Sequence, residues 1–332
     1  MQTKYHKSVE LVILVVLWYA SAIVSILSSK SSMNLCPAPF ILCTTQFITA
    51  SIVCTMLHHL QNQKSKSSLN LIGTSNIVLI ISVCYTLGFV LTNISFSLAN
   101  ANSVETVKAA EPISSVILGQ IFCPEYSSWS TYASLLPIWF GVSMACFGDS
   151  SFPIWGVVFA MLSNICFSGR AVAAKRLYTV GDKPDETLLF ARISVLGLVL
   201  LVPMAFVMDR NVVLDHNWDV RGQDTKFQFL GTLLLNSLAY TTYNLASFLV
   251  LSRTNLVTHA VLNACRRVVI ILFSAWFFSV HISSINVWGI VISILGVVWF
   301  AVSKSQTSKT ASVVSLLPSF LTDRAREDVN SV

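Results

Sequence analysis

Charge is what this sequence has least of. Asp, Glu, Lys and Arg make up 11% of its 332 residues, against 54% hydrophobic residues and a mean hydropathy of +0.71. A soluble domain carries about 25% charged residues, and less than half of that cannot coat a globule in water. A soluble fold is excluded, and the backbone must satisfy its own hydrogen bonds in a bilayer. Clustered cysteine is missing too. The eight cysteines are scattered, with no CxxC pair and no histidine at metal spacing, so neither a zinc site nor a disulfide framework is expected. Basic residues are not interleaved with aromatics, which removes nucleic acid as a partner. No cofactor is expected. The net charge of +6 sits mainly in short loops, where it sets topology.

A cleavable leader is not expected either. Lys4, His6 and Lys7 precede an apolar run over roughly 11–27. That run exceeds the ~7–15 residues of a signal-peptide core and no clear cleavage site follows, so it reads as a first membrane span. No long Ser/Arg-rich presequence precedes it, which argues against ordinary plastid or mitochondrial import.

What is present is apolar sequence in membrane-length pieces. A spanning helix needs about 20 mainly apolar residues, and ten segments qualify: roughly 9–28, 38–58, 75–97, 104–122, 130–148, 153–174, 186–207, 228–251, 257–279 and 283–303. The fold class expected is an all-α membrane protein with ten transmembrane helices. The polar stretch 209–226 reads as a solvated loop. The chain divides into a cytosolic N-terminus (1–8), a first five-helix repeat (9–149), a second (150–303) and a disordered cytosolic tail (304–332). With both ends on one side, that side holds Lys4, Lys7, Lys64, Lys66, Lys175, Arg176, Lys183, Arg253, Lys304, Lys309, Arg324 and Arg326. The other holds Lys30, Arg210, Arg221 and Lys226. Twelve against four places both termini in the cytosol. Two halves of five spans each must insert in opposite orientation, as in many secondary transporters.

Of the 21 Lys and Arg, five remain inside spans: Lys108, Arg170, Arg192, Arg266 and Arg267. A charge at the bilayer centre costs at least about 2.5–3.5 kcal/mol, so each is a functional hypothesis by default. Arg170 and Arg192 lie within about two turns of a cytosolic helix end and read as snorkelling. His259, at the head of the ninth span, reads as interfacial. Lys108 sits in Thr106-Val107-Lys108-Ala109-Ala110-Glu111-Pro112, where Glu111 could pair with it and Pro112 breaks a backbone bond. Arg266 and Arg267 lie deep in the ninth span. Neighbours on a helix point about 100° apart, so at least one faces the bundle, where its planar fork suits phosphate or carboxylate. Pairing with Glu111 or with helix-end carbonyls is the structural alternative. The only carboxylates within the spans are Glu10, Glu105, Glu111 and Glu186. That set offers no credible catalytic base, so no enzyme is expected.

These residues carry a resemblance. Thr92-Asn93-Ile94-Ser95-Phe96, the 106–112 motif, Tyr243-Asn244 through Ser252-Arg253, Val257-Thr258-His259, Arg266-Arg267-Val268-Val269 and Asn286-Val287-Trp288-Gly289 resemble the triose-phosphate translocator family. That family lies in the drug/metabolite transporter superfamily, which includes nucleotide-sugar carriers. The likeness covers about 8–305. It implies ten helices, cytosolic termini, antiport and a central site in which Lys108, Arg266 and Arg267 clamp a phosphate, with Thr92 and Tyr243 contributing from neighbouring helices. Three positions depart from the family pattern: Arg266 stands for a lysine, and Phe89 and Glu105 stand where histidine is common. The resulting expectation is a secondary transporter exchanging a nucleotide sugar for a nucleoside monophosphate in a Golgi or endoplasmic-reticulum membrane. The alternatives are sugar-phosphate/phosphate antiport in a plastid-type organelle membrane, or a non-exchanging carrier. The implied partners are a small phosphorylated anion and the lipid bilayer.

Overall fold

The computed structural model describes residues 2–61, 76–122, 128–147, 153–180, 185–214, 223–253, 256–280 and 283–314, and every regular element among them is a helix. In chain order these are α1 (Gln2–Leu35), α2 (Pro39–Gln61), α3 (Asn76–Leu98), α4 (Ala101–Lys108), α5 (Glu111–Phe122), α6 (Trp129–Ala133), α7 (Leu135–Phe147), α8 (Ile154–Val180), α9 (Glu186–Met208), α10 (Arg210–Leu214), α11 (Gln223–Arg253), α12 (Leu256–Phe277) and α13 (Ser284–Val314). Six, α1, α2, α3, α8, α9 and α13, are long and apolar enough to cross a membrane.

Two of the expected spans are broken where proline requires it. Pro112 has no N–H to offer the carbonyl of Lys108, and the segment 104–122 splits into α4 and α5 around a turn at Ala109 and Ala110. In the last turn of α4 the carbonyl of Val107 accepts from Ala110 N (3.0 Å) and from the Asn164 amide (3.0 Å). Pro137 acts likewise on the carbonyl of Ala133, and 130–148 divides into α6 and α7 at Ser134.

Three readings of the loops change. Lys30 is in α1, not in a loop: it is buried, and its Nζ donates to the Phe96 carbonyl (2.8 Å) at the end of α3, where a cation meets the negative end of a helix. The loop 209–226 is shorter than its polarity suggests, because α10 and the start of α11 fall inside it. Asp209 is buried there, and its Oδ2 accepts from Ile41 N (2.8 Å) in the first turn of α2. Burial pushes its carboxyl up from the ordinary range, while amide donors at Ile41 and Phe40 oppose the rise. The helix α13 runs on to Val314, past the boundary at 304; the rest of the tail, 315–332, lies outside the described residues.

The principal pairings are α1 with α11, α3 with α8, α2 with α9 and α7 with α13. Each pair is antiparallel. Asp209 at the end of α9 caps the start of α2, while Asp185 before α9 meets His58 near the end of α2 (Nδ1 to Oδ2, 2.7 Å). Gly141 of α7 and Gly289 of α13 let two backbones touch. A Cβ on Gly141 would lie 2.6 Å from the Gly289 carbonyl and 2.4 Å from Ser293 N, and a Cβ on Gly289 would meet the Gly141 carbonyl at 2.6 Å and Ala145 N at 2.5 Å. Close approach through small residues is how helices pack where lipid removes the hydrophobic drive.

Candidate functional site

A cavity of about 240 Å³ opens between α1, α3, α4, α8, α11 and α12. Thr92, Lys108, Tyr243, Arg266 and Arg267, the residues singled out from sequence, all line it. The helix break positions the first of them. Ending α4 at Lys108 puts a cation at a helix C-terminus, and starting α5 at Glu111 puts an anion at an N-terminus; both suit the helix dipole.

Lys108 is buried and donates to Thr92 Oγ1 (3.1 Å), with its ammonium 5.1 Å from the centre of the Phe167 ring. Thr92 is held in turn: its hydroxyl donates to the Gly88 carbonyl (2.8 Å) and lies 2.7 Å from Ser163 Oγ. Of the two pairings open to the Glu111 carboxylate, with Lys108 or with the arginines of the ninth span, the structure has the second: Arg267 Nη2 is 2.7 Å from Glu111 Oε2. The Nη1 of the same guanidinium lies 3.5 Å from Glu105 Oε2. So Arg267 is buried with each arm of its fork on a separate carboxylate. Arg266 differs from its neighbour. It donates through Nε (3.2 Å) and Nη2 (3.0 Å) to the neutral Asn263 Oδ1, and it stands 5.6 Å from the Trp18 ring and 5.9 Å from Tyr243. Its charge faces aromatic surface and the cavity.

Three residues outside the expected binding set also face the cavity. Arg170, for which snorkelling is expected, lines the cavity instead, 5.3 Å from the Tyr85 ring and 5.7 Å from Phe167. Its spacing of three residues from Phe167 on one helix face was the available signal. Arg192 is not among the lining residues. Glu105 and Glu111 both face the cavity; the sequence marks Glu111 as a pairing partner for the buried cations and Glu105 as a departure from the family pattern, but neither as a cavity residue. The side chain of His259 lies outside the described residues.

One wall of the cavity is aromatic, and Lys108 and Arg170 lie against it. Phe89 meets Tyr85, Tyr240 and Phe167 edge-on with centroids 4.8, 4.9 and 5.1 Å apart. Tyr240 donates to the Tyr85 hydroxyl (3.1 Å), which donates to Asn244 Oδ1 (3.0 Å). Four cations (Lys108, Arg170, Arg266, Arg267) therefore share the cavity with two carboxylates, and the net positive charge suits an anion with a small organic part. Among the described residues no cluster of His, Cys, Asp and Glu is suited to a metal.

The comparisons with known proteins agree with this chemistry. The chloroplastic phosphoenolpyruvate/phosphate translocator 2 of Arabidopsis thaliana is 33% identical over 69% of this chain and 60% of its own length. Translocator 1 of the same plant is 30% identical over 89% of this chain and 72% of its own length. The non-green-plastid triose phosphate/phosphate translocator of Brassica oleracea var. botrytis is 29% identical, covering 89% and 73%. A crystal structure of 13% identity shares the fold, with a TM-score of 0.55 over 90% of this chain and 98% of that one. The model of the Triose-phosphate Transporter family matches residues 9–301: the chain belongs to that family.

Proposed function

We propose that the protein is an antiporter that exchanges a small phosphorylated organic anion, of three-carbon size, for inorganic phosphate. Membership in a transporter family sets it apart from enzymes. The observation that carries the reading is the convergence of Lys108, Arg170, Arg266 and Arg267 from three helices on one cavity. Such cations are costly in a membrane and become useful when an anion bridges them. The relatives are named for phosphoenolpyruvate, triose phosphate and phosphate, and for plastids. They favour the sugar-phosphate alternative over the nucleotide-sugar expectation, and a plastid-type organelle membrane over the Golgi or endoplasmic reticulum. The size of the cavity, about 240 Å³, agrees, since it falls below the roughly 300–1,000 Å³ of sites for drug-sized ligands.

In this reading the phosphate lies between Lys108 and Arg266, reaches Arg267 as the carboxylates yield, and turns its organic end to Phe89 and Tyr243. Transport proceeds by alternating access of two inverted five-helix halves. The helix pairing supports that division. Taking α4 with α5 as the fourth span and α6 with α7 as the fifth, exchange of each span for the one five further on turns α1–α11 into α8–α3. It also turns α2–α11 into α9–α3, and it leaves α2–α9 and α7–α13 unchanged; all of these pairs are in contact. The reciprocal Gly141 and Gly289 contacts fit a two-fold axis there. Ten spans put both termini on one side, and the loop charges favour the cytosol. With Lys30 inside α1, the opposing side keeps three cations, Arg210, Arg221 and Lys226.

The test is counter-exchange in proteoliposomes preloaded with phosphate, UMP, GMP or buffer. Uptake of labelled triose phosphate or phosphoenolpyruvate is expected to need internal phosphate. Uptake of a nucleotide sugar driven by UMP or GMP, with none of either three-carbon compound driven by phosphate, would return the assignment to nucleotide-sugar exchange.

A further inference from the structure

Resting on that reading of the cavity, we propose that Glu105 is a tethered counter-anion that lets the unloaded carrier change its facing state, so that the protein carries out net transport besides exchange. A cavity lined by cations alone would repel itself when empty and resist closing, which would confine the carrier to exchange. The observed cavity is not of that kind. The Glu105 side chain is 4% exposed and reaches the Nη1 of Arg267, while Glu111 occupies Nη2. The two carboxylates together take the places that two oxygens of a phosphate would take on a bidentate guanidinium. Buried charge is costly when it is left unpaired, and here the chain itself supplies the pairing.

The two contacts are not equal. Glu111 holds its arm of the fork at 2.7 Å, at the start of α5 and with 28% of its side chain exposed; Glu105 stands at 3.5 Å within α4. Glu105 is thus the looser partner, the one an arriving phosphate displaces. It lies three residues before Lys108 on the same helix, so a carboxylate released from Arg267 remains near a second cation. Loading exchanges one carboxylate for a phosphate, and unloading restores it. An anion that favours the closed state drives exchange, and an internal anion that stabilises the same closure makes the empty return possible.

The experiment compares uptake of labelled phosphate into liposomes that contain either phosphate or gluconate, with the membrane potential clamped by potassium and valinomycin. For the unaltered protein, net uptake against gluconate is expected to be a measurable fraction of exchange. In Glu105→Gln the ratio of net uptake to exchange is expected to fall about tenfold, the scale of one charge-assisted contact. Exchange without net uptake in the unaltered protein would overturn the proposal. So would an unchanged ratio in Glu105→Gln, or a variant without any exchange, which would make Glu105 a requirement for loading. Absence of phosphate exchange in the unaltered protein would instead defeat the antiport reading itself.

Discussion

Carboxylates do two different jobs in this protein, at the ends of α9 and in the cavity. At the ends of α9 they fasten. Asp209 caps α2 from another helix, and Asp185 accepts from Thr187 N (3.1 Å) while its other oxygen meets His58. These two contacts tie α2 and α9 together at opposite ends, and neither residue lines the cavity. In the cavity, Glu105 and Glu111 hold Arg267, a residue that the proposed mechanism requires to let go. The difference teaches that a carboxylate contact's place, rather than its length, decides whether it serves stability or work: the Glu111–Arg267 and His58–Asp185 contacts are both 2.7 Å.

The strongest way to sharpen this comparison is Arg267→Gln. It removes a bridging cation and leaves two carboxylates facing each other, so phosphate exchange is expected to fall at least ~100-fold, with a loss of roughly 3 kcal/mol in stability. Adding Glu105→Gln should recover much of the thermal stability in detergent and none of the transport. Recovery of exchange in the double variant would show that the arginine serves only to neutralise its own carboxylates.

Asp209→Ala tests the fastening role. It removes a buried acceptor from the first turn of α2, which costs about 1–2 kcal/mol, read as a lower melting temperature. The KM for phosphate should not change, and a marked rise in KM would mean that the α2–α9 seam also shapes the cavity. The smallest effect belongs to the pair between Glu10 and Arg253, which are 2.7 Å apart with side chains 56% and 38% exposed. Glu10→Gln should change stability by less than about 1 kcal/mol and leave exchange untouched; a larger loss of stability would show that this pair is not a solvent-screened surface contact.

The working side of this comparison was partly legible in the sequence. Lys108, Arg266 and Arg267 stand out because a cation inside a long apolar run needs a reason, and Pro112 marks the break that places Lys108. Arg170 did not stand out. Distance to a helix end is all that one dimension offers, and that distance fits snorkelling as well as a cavity. What decides it is the packing of α8 on α3, which sets Arg170 over Tyr85. Lys30 failed for a related reason: the Ser-rich end of α1 looks like a loop by hydropathy, yet its polar groups are buried against α11, where the Asn236 amide donates to Ser28 Oγ (3.0 Å) and Ser29 Oγ (2.8 Å). The fastening side was not legible, because Asp209 lies in a polar stretch and its partner is 168 residues away.

By itself the sequence determined that this is a helical membrane protein with cations at depth, and the motifs around those cations determined its family. Both follow from local composition, since apolar length decides what crosses a bilayer and a charge there is conspicuous. Only the tertiary structure decided which cations share a cavity, that Arg267 is already held by Glu105 and Glu111, and that Arg266 faces aromatic rings with a neutral partner. Those outcomes depend on distances between helices far apart in the chain. Charge interactions weaken with distance and dielectric, so the partner of each buried charge is settled by packing.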